Sequence, residues 1–293
     1  MEISKTQIHF ILPGGGVNGA FQAGFLYRFL KDYYDKIIIS RIDGISVGAL
    51  NGLAIILEDI EFIKSIWYYI EDRDTVFNSH GTNSEMWYKG SIYDSSGLRN
   101  LIYMHKEFIK KEEIEKYNCV VHNCNTQTYE YINGTRPNLL EYIIASASPP
   151  LLSPYLKIDE TFYSDGCIDQ IYPIDYVMKN ELDPISLDNS INNENNEENN
   201  KNAKNSSNKI NVVVGYYESN NYYLFNIYKT LKKNIYNNNA DIKKLIDNNN
   251  IITINNPCFY NLIDFSRENI DNAFKLGEVA AIEFYNKHIL KLE

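Results

Sequence analysis

This chain of 293 residues lacks long hydrophobic runs, paired cysteines and surplus positive charge, and each lack excludes a class of protein. No stretch approaches the roughly eighteen uninterrupted apolar residues of a membrane span, so no transmembrane helix is predicted. The run Ile8–Leu12 is too short for the core of a secretory leader and leads straight into a glycine turn, which predicts a chain without a signal peptide. The four cysteines, Cys119, Cys124, Cys167 and Cys258, show neither C-x-x-C spacing nor an accompanying His-x-x-x-His. That argues against zinc and against a disulfide framework, and for a reducing compartment. Lys and Arg number 28 against 38 Asp and Glu, a formal charge of −10. Nucleic acid is therefore not an expected partner, because phosphate binding needs a basic surface. Lys106, Lys110, Lys111 and Lys116 form a local basic cluster, read most simply as a solvated helix face. The expectation is a soluble, cytoplasmic protein whose membrane contact is peripheral and transient.

What is present is a sizeable core: 44% of residues are apolar, and 24 are Tyr. Gln7–Leu12 reads as a buried strand, Ala20–Tyr34 as a helix, Lys36–Ile42 as a β-branched strand and Val47–Leu57 as a second helix. Strand, turn, helix, repeated, predicts an α/β fold in three α/β/α layers with a mostly parallel central sheet. Tyr117–Asn123 and Thr128–Asn133 read as two strands around a short polar turn, and Pro137–Ala147 as a helix with proline in its first turn. Tyr155–Ser164 reads as a hairpin, Ile210–Val214 and Ile251–Ile254 as strands, and Ser266–Leu292 as a long helix capped by Ser266. Residues 186–209 hold an Asn-rich polar tract that cannot bury enough apolar surface to offset its ordering entropy. It is read as a disordered insertion within one domain spanning residues 1–293.

Two short motifs about thirty residues apart carry the chemistry. Gly44-Ile45-Ser46-Val47-Gly48 has the G-x-S-x-G form of a nucleophile elbow, in which a serine sits exposed on a sharp strand-to-helix turn. Gly14-Gly15-Gly16-Val17-Asn18-Gly19 places backbone N–H groups at a helix start, where they can hold a negatively charged oxygen. Together they suggest an acyl-transfer centre. The serine needs a base. Of the five histidines, His9 and His122 fall within predicted strands, His80 and His105 in polar surroundings, and His288 near the end of the last helix. Only His288 fits the Ser…Asp…His order of an α/β-hydrolase triad, whose glycine loop is usually led by a histidine where this chain has Pro13. The other base is a carboxylate, Asp165, which precedes Gly166 at the end of a predicted strand; burial would raise its pKa toward that of a useful base.

Gly14–Gly19, Gly44–Gly48 and Asp165-Gly166-Cys167 resemble, in order, the three signature blocks of patatin-like phospholipases. Ala145-Ser146-Ala147-Ser148-Pro149 and Pro173 extend the resemblance, as do Phe265-Ser266 and Gly277 more weakly. The resemblance implies a Ser46–Asp165 dyad without histidine and an oxyanion hole from the backbone of Gly14, Gly15, Gly16 and Val17. Asn18, Gly19, Gly44, Gly48 and Gly166 would support the turns. It implies phospholipid or lysophospholipid substrates and neither metal nor cofactor. Two positions depart from the family's pattern: Asn18 stands where Arg or Lys is usual, and Cys167 where Gly or Ala is usual. Nothing basic beside Cys167 would make it a nucleophile. Tyr88, Tyr93, Tyr103 and Phe108 are candidates to line an acyl groove, with core packing the plainer explanation for most.

Two other readings stay open. A catalytically silent lipid-binding module would keep the fold and lose the activity. A dinucleotide-binding protein would use Gly14-x-Gly16-x-x-Gly19 for the pyrophosphate and Asp43 for the ribose.

Overall fold

A computed structural model describes residues 5–57, 60–79, 91–103, 114–182, 209–217 and 239–290. Its centre is a sheet of eight strands. β1 (Thr6–Leu12) lies between β2 (Ile37–Ile45) and β9 (Lys209–Tyr216), and β10 (Ile252–Asn255) joins beyond β9, all in parallel. A separate two-stranded ladder pairs β3 (Asn78–Ser79) with β4 (Tyr93–Asp94). β5 (Tyr117–Asn123) runs parallel to β2, while β6 (Thr128–Asn133), β7 (Leu156–Ile158) and β8 (Thr161–Asp165) form the antiparallel side.

Alternation along the strands creates the layers. Ile8, Phe10 and Leu12 of β1, with Val212 and Val214 of β9, enter the larger core, whereas Ile11 and Val213 point to a second core on the opposite face. The larger core is covered by α1 (Gly19–Tyr33), α2 (Val47–Ile56), α3 (Ile60–Tyr69), the short α4 (Arg73–Val76), α5 (Ser96–Tyr103) and α6 (Leu139–Ser146). The second is closed by α7 (Asp175–Leu182), through Val177, and α8 (Asn239–Asp247), through Ile242 and Leu245. The last helix, α9 (Arg267–Phe284), returns to the larger core, where Phe284 meets Phe25 and Phe29 of α1 at ring-centroid distances of 5.7 and 5.5 Å. The three-layer α/β/α arrangement with a mostly parallel sheet is as the sequence predicts.

Several boundaries differ. β2 continues to Ile45 because β1 pairs with it as far as Leu12↔Gly44, which brings the strand to the serine turn. α6 starts at Leu139, leaving Pro137 outside it, because Asn138 is left-handed (φ 62°) and breaks the helical path. Ser266 precedes α9 in extended conformation, but its side chain makes no capping bond. That helix passes at Tyr285 into a π-helical turn instead of running on to Leu292. The polar tract at 186–208 lies outside the described residues, and Lys209 already belongs to β9. Among the described residues, no helix is long and apolar enough to cross a membrane.

Candidate active site

Ser46 stands one residue beyond β2 and immediately ahead of α2, with φ 55° and ψ −125°. A side-chain-bearing residue in that region of backbone space carries about 1–3 kcal/mol of strain, so surrounding contacts must hold it there. One such contact is the bond from the Ser46 N–H to the Ser146 hydroxyl at 2.9 Å. Another is the close passage of the elbow over β1. A Cβ built on Gly48 would lie 2.1 Å from the Leu12 carbonyl oxygen, so only glycine lets α2 start this near the strand.

Asp165 ends β8, and its place is set by an irregularity in the sheet. β6 occupies one whole edge of β5, while the other edge is divided: Val120 pairs with Ile45 of β2, and the next residue, Val121, pairs with Asp165 of β8. Where the chain leaves the sheet toward Ser46, the strand carrying Asp165 takes over the vacated edge. Asp165 is 3% exposed, its carboxylate accepts the Cys167 N–H at 2.8 Å, and it lines the same cavity as Ser46. Burial pushes its pKa up to about 6, against the opposing pull of the Cys167 N–H and the Ser46 side chain. The Cys167 thiol is driven well above its ordinary range by burial and by the neighbouring carboxylate, with the Gly14 N–H opposing. This thiol is a poor nucleophile.

The glycine loop corrects one part of the oxyanion expectation. The Val17 N–H is bound to the Leu262 carbonyl at 3.0 Å, so Val17 cannot donate to an oxyanion. The Asn18 N–H closes on Gly15 O at 3.1 Å, and the Gly14 N–H is directed to the Cys167 sulfur. The Gly15 and Gly16 N–H groups donate to no acceptor among the described residues. Gly16 is left-handed (φ 54°), and a Cβ on it would fall 2.0 Å from Leu262 O. Asn18 is fully buried and points away from any oxyanion position: its amide donates to Gly15 O and Tyr260 O, each at 3.0 Å, and accepts the Tyr260 N–H at 2.9 Å. It is a strut between the glycine loop and the segment before α9. Gly19 opens α1, Gly44 is the penultimate residue of β2, and Gly166 begins the tight turn after Asp165.

Ser46 lies where two apolar cavities meet. The larger holds about 790 Å³ of non-atom space, part of it open to solvent, and is walled by side chains that include Leu50, Leu53, Phe62, Trp67, Leu101 and Phe265. The second, about 630 Å³ measured in the same way, runs past Gly14–Gly16 and Asp165 between Pro149, Leu152, Ile171 and Ile263. Neither Tyr93 nor Tyr103 is among the residues that line these cavities. Tyr93 packs on Phe77, and the Tyr103 hydroxyl donates to Glu141. Tyr88 and Phe108 lie outside the described residues, as do Lys106, Lys110, Lys111, His80 and His105. No histidine among the described residues lines either cavity: His122 is bound to Asp169, and His288 packs on Phe284. Asp43, the ribose-binding candidate, is wholly buried and occupied by His9, Arg41 and Asn118.

Sequence reading missed a chain of buried amides that ties the loop to the larger cavity. The Trp67 indole donates to Asn51, Asn51 donates to Gln22 and Gly19 O, and Gln22 donates to Pro13 O at 2.7 Å. Helical spacing shows Gln22 and Asn51 only as polar residues on otherwise apolar helices, a signal of burial that has meaning only once the partners are known.

The fold and this corner define an α/β protein with a serine on a strained strand-to-helix turn beside a glycine loop. The chain belongs to the patatin-like phospholipase family, whose model matches residues 10–178. It is 25% identical over 186 residues to an uncharacterized protein of Acanthamoeba polyphaga mimivirus, a match covering 59% of this chain and 62% of that protein's length. The crystal structure of VipD from Legionella pneumophila superposes with a TM-score of 0.51 at 13% identity, over 97% of this chain and 67% of that one.

The raised carboxyl has two measurable consequences. An unfolded aspartate titrates near 3.9 and Asp165 in the fold near 6, so across that window the folded state keeps the extra proton. Stability contributed at this site therefore falls as pH rises through the window, and the full cost is present above about 6. Asp165→Asn is expected to raise the Tm at pH 8, with the gain shrinking toward pH 4, and thermal melts across that range check it. Ester hydrolysis by the wild type, if the carboxylate is the base, rises to a plateau with an apparent pKa near 6 in kcat/KM.

Proposed function

We propose that the chain is a single acyl hydrolase domain over residues 1–293 that cleaves fatty-acyl esters of phospholipids or lysophospholipids, with Ser46 as nucleophile and Asp165 as base. The observation that carries this reading is a buried, weakly acidic carboxylate lining the same apolar cavity as Ser46, where that cavity meets a second one. Asp165 takes the hydroxyl proton as Ser46 Oγ attacks the ester carbonyl. The carbonyl oxygen becomes an alkoxide facing the unoccupied N–H groups of Gly15 and Gly16. Collapse of this intermediate breaks the bond to the alcohol, which leaves with the proton held by Asp165, and the acyl group stays on Ser46. Asp165 then deprotonates a water that attacks the acyl-enzyme carbonyl; the bond to Ser46 Oγ breaks, Oγ takes the proton back from Asp165, and a fatty acid departs.

A rim feature supports contact with a lipid surface. Leu151, adjacent to the cavity-lining Leu152, is held left-handed at φ 70° with its side chain half exposed. Ile92, also exposed, donates its N–H to Leu151 O at 2.8 Å, so the two exposed apolar residues are backbone neighbours. A strained backbone that presents leucine to water is accounted for if that side chain enters lipid.

Ser46→Ala is expected to lower kcat on phospholipid by at least about a thousandfold, with the fold intact by circular dichroism, and to abolish labelling by a fluorophosphonate. Asp165→Asn should fall comparably and His288→Ala should stay near wild type; the reverse order in kcat selects a histidine triad. The double variant Ile92→Asp, Leu151→Asp is expected to lose vesicle binding in flotation assays. Its hydrolysis of vesicle lipid should drop several-fold more than its hydrolysis of a soluble short-chain ester.

A further inference from the structure

We propose that Ser146 is a positioning residue for the nucleophile, fixing the backbone of Ser46 in its strained turn; this role rests on the reading of Ser46 as nucleophile. Ser146 is the last residue of α6 and is fully buried. Its hydroxyl accepts the Ser46 N–H at 2.9 Å and donates to the Val120 carbonyl at 2.6 Å. A serine hydroxyl has one proton to give, and here it goes to the strand edge, leaving a lone pair aimed at the elbow.

The position of that bridge matters. Val120 is the residue of β5 that pairs with Ile45, and Val121 beside it pairs with Asp165. The bridge therefore fastens Ser46 to the point where the edge of β5 passes from one strand to the other. Two residues farther along, the Ser148 carbonyl accepts the Asp165 N–H at 3.1 Å. One helix end thus grips the backbones of both proposed dyad residues, although they lie far apart in sequence.

Without the Ser146 hydroxyl, the Ser46 N–H loses its acceptor and the elbow loses a contact that opposes its strain. Relaxation of φ toward negative values would swing Oγ away from Asp165 and from Gly15 and Gly16. A displacement on the order of 1 Å in a reacting group costs about a hundredfold in rate. Substrate binding should change little, because Ser146 lines neither cavity.

The test compares Ser146→Ala and Ser146→Cys in the full chain with Ser40→Ala. Ser40→Ala removes another hydroxyl-to-carbonyl bond between strands, the one from Ser40 to Ile8 O at 3.0 Å, away from the site. Ser146→Ala is expected to lower kcat and the fluorophosphonate labelling rate constant together by about 10- to 100-fold, with KM within about twofold of wild type. Its loss of Tm should match that of Ser40→Ala, whose kcat is unchanged. Ser146→Cys keeps nearly the same volume with a weaker acceptor, reads the same bond if the alanine variant does not fold, and should fall between. A wild-type labelling rate in either folded variant overturns the positioning role alone, as does a loss that only follows the unfolded fraction. A wild type that never labels overturns the nucleophile reading and this role with it.

Discussion

The site depends on the divided edge of β5. A strand edge normally has one partner along its length, but here β2 satisfies it as far as Val120, and β8, from the opposite direction, takes over at Val121. Backbone hydrogen bonding makes this handover obligatory, because an edge abandoned in the interior would leave N–H and C=O groups unpaired. The chain that leaves turns through Ser46, and the chain that replaces it ends at Asp165. Their approach follows from sheet pairing. The end of α6 seals the same corner through Ser146 and Ser148.

The glycine loop is held by a different part of the chain. Asn18 binds the backbone of Tyr260 from both sides and Val17 binds Leu262, while Phe265 and Ile263 wall the two cavities. These partners lie beyond residue 178, where the match to the family model ends. A loop of three consecutive glycines has high conformational entropy in the unfolded chain and little intrinsic reason to keep one shape. The segment before α9 supplies that reason. Asn18 thus replaces electrostatic support, expected from a basic residue, by direct mechanical bracing, with each of its bonds satisfied in the interior.

Much of this was legible in the residues, and the boundary of legibility is physical. Apolar runs such as Phe10–Leu12 and Val212–Val214, punctuated by glycine turns, announce a parallel sheet because local pattern decides which faces are buried. The serine elbow and the glycine loop show as motifs because turn chemistry is written in consecutive residues, whereas Asp165-Gly166 alone reads as an ordinary turn and stands out only by following them. The takeover at Val121 was not legible, since it is a pairing choice among strands remote in sequence. Nor was the engagement of the Val17 N–H, whose acceptor belongs to Leu262. Tyr93 packs into the core, the plainer of its two readings, because aromatic content alone leaves open whether a ring lines a cavity or fills a core.

Under the proposed function, basicity at Asp165 and affinity for an acyl chain arise from the same walls. The carboxylate is raised toward 6 because apolar surroundings such as Pro149, Leu152 and Ile171 hold water away from its charge. An acyl ester entering those cavities displaces further water and adds apolar surface beside the carboxylate, which lifts its proton affinity again while the Ser46 hydroxyl stays within reach. The base thereby strengthens when a lipid is present and weakens when the site is wet. On that reading, a cavity that binds hydrocarbon also makes an aspartate basic, the property Ser46 needs where no histidine among the described residues lines either cavity.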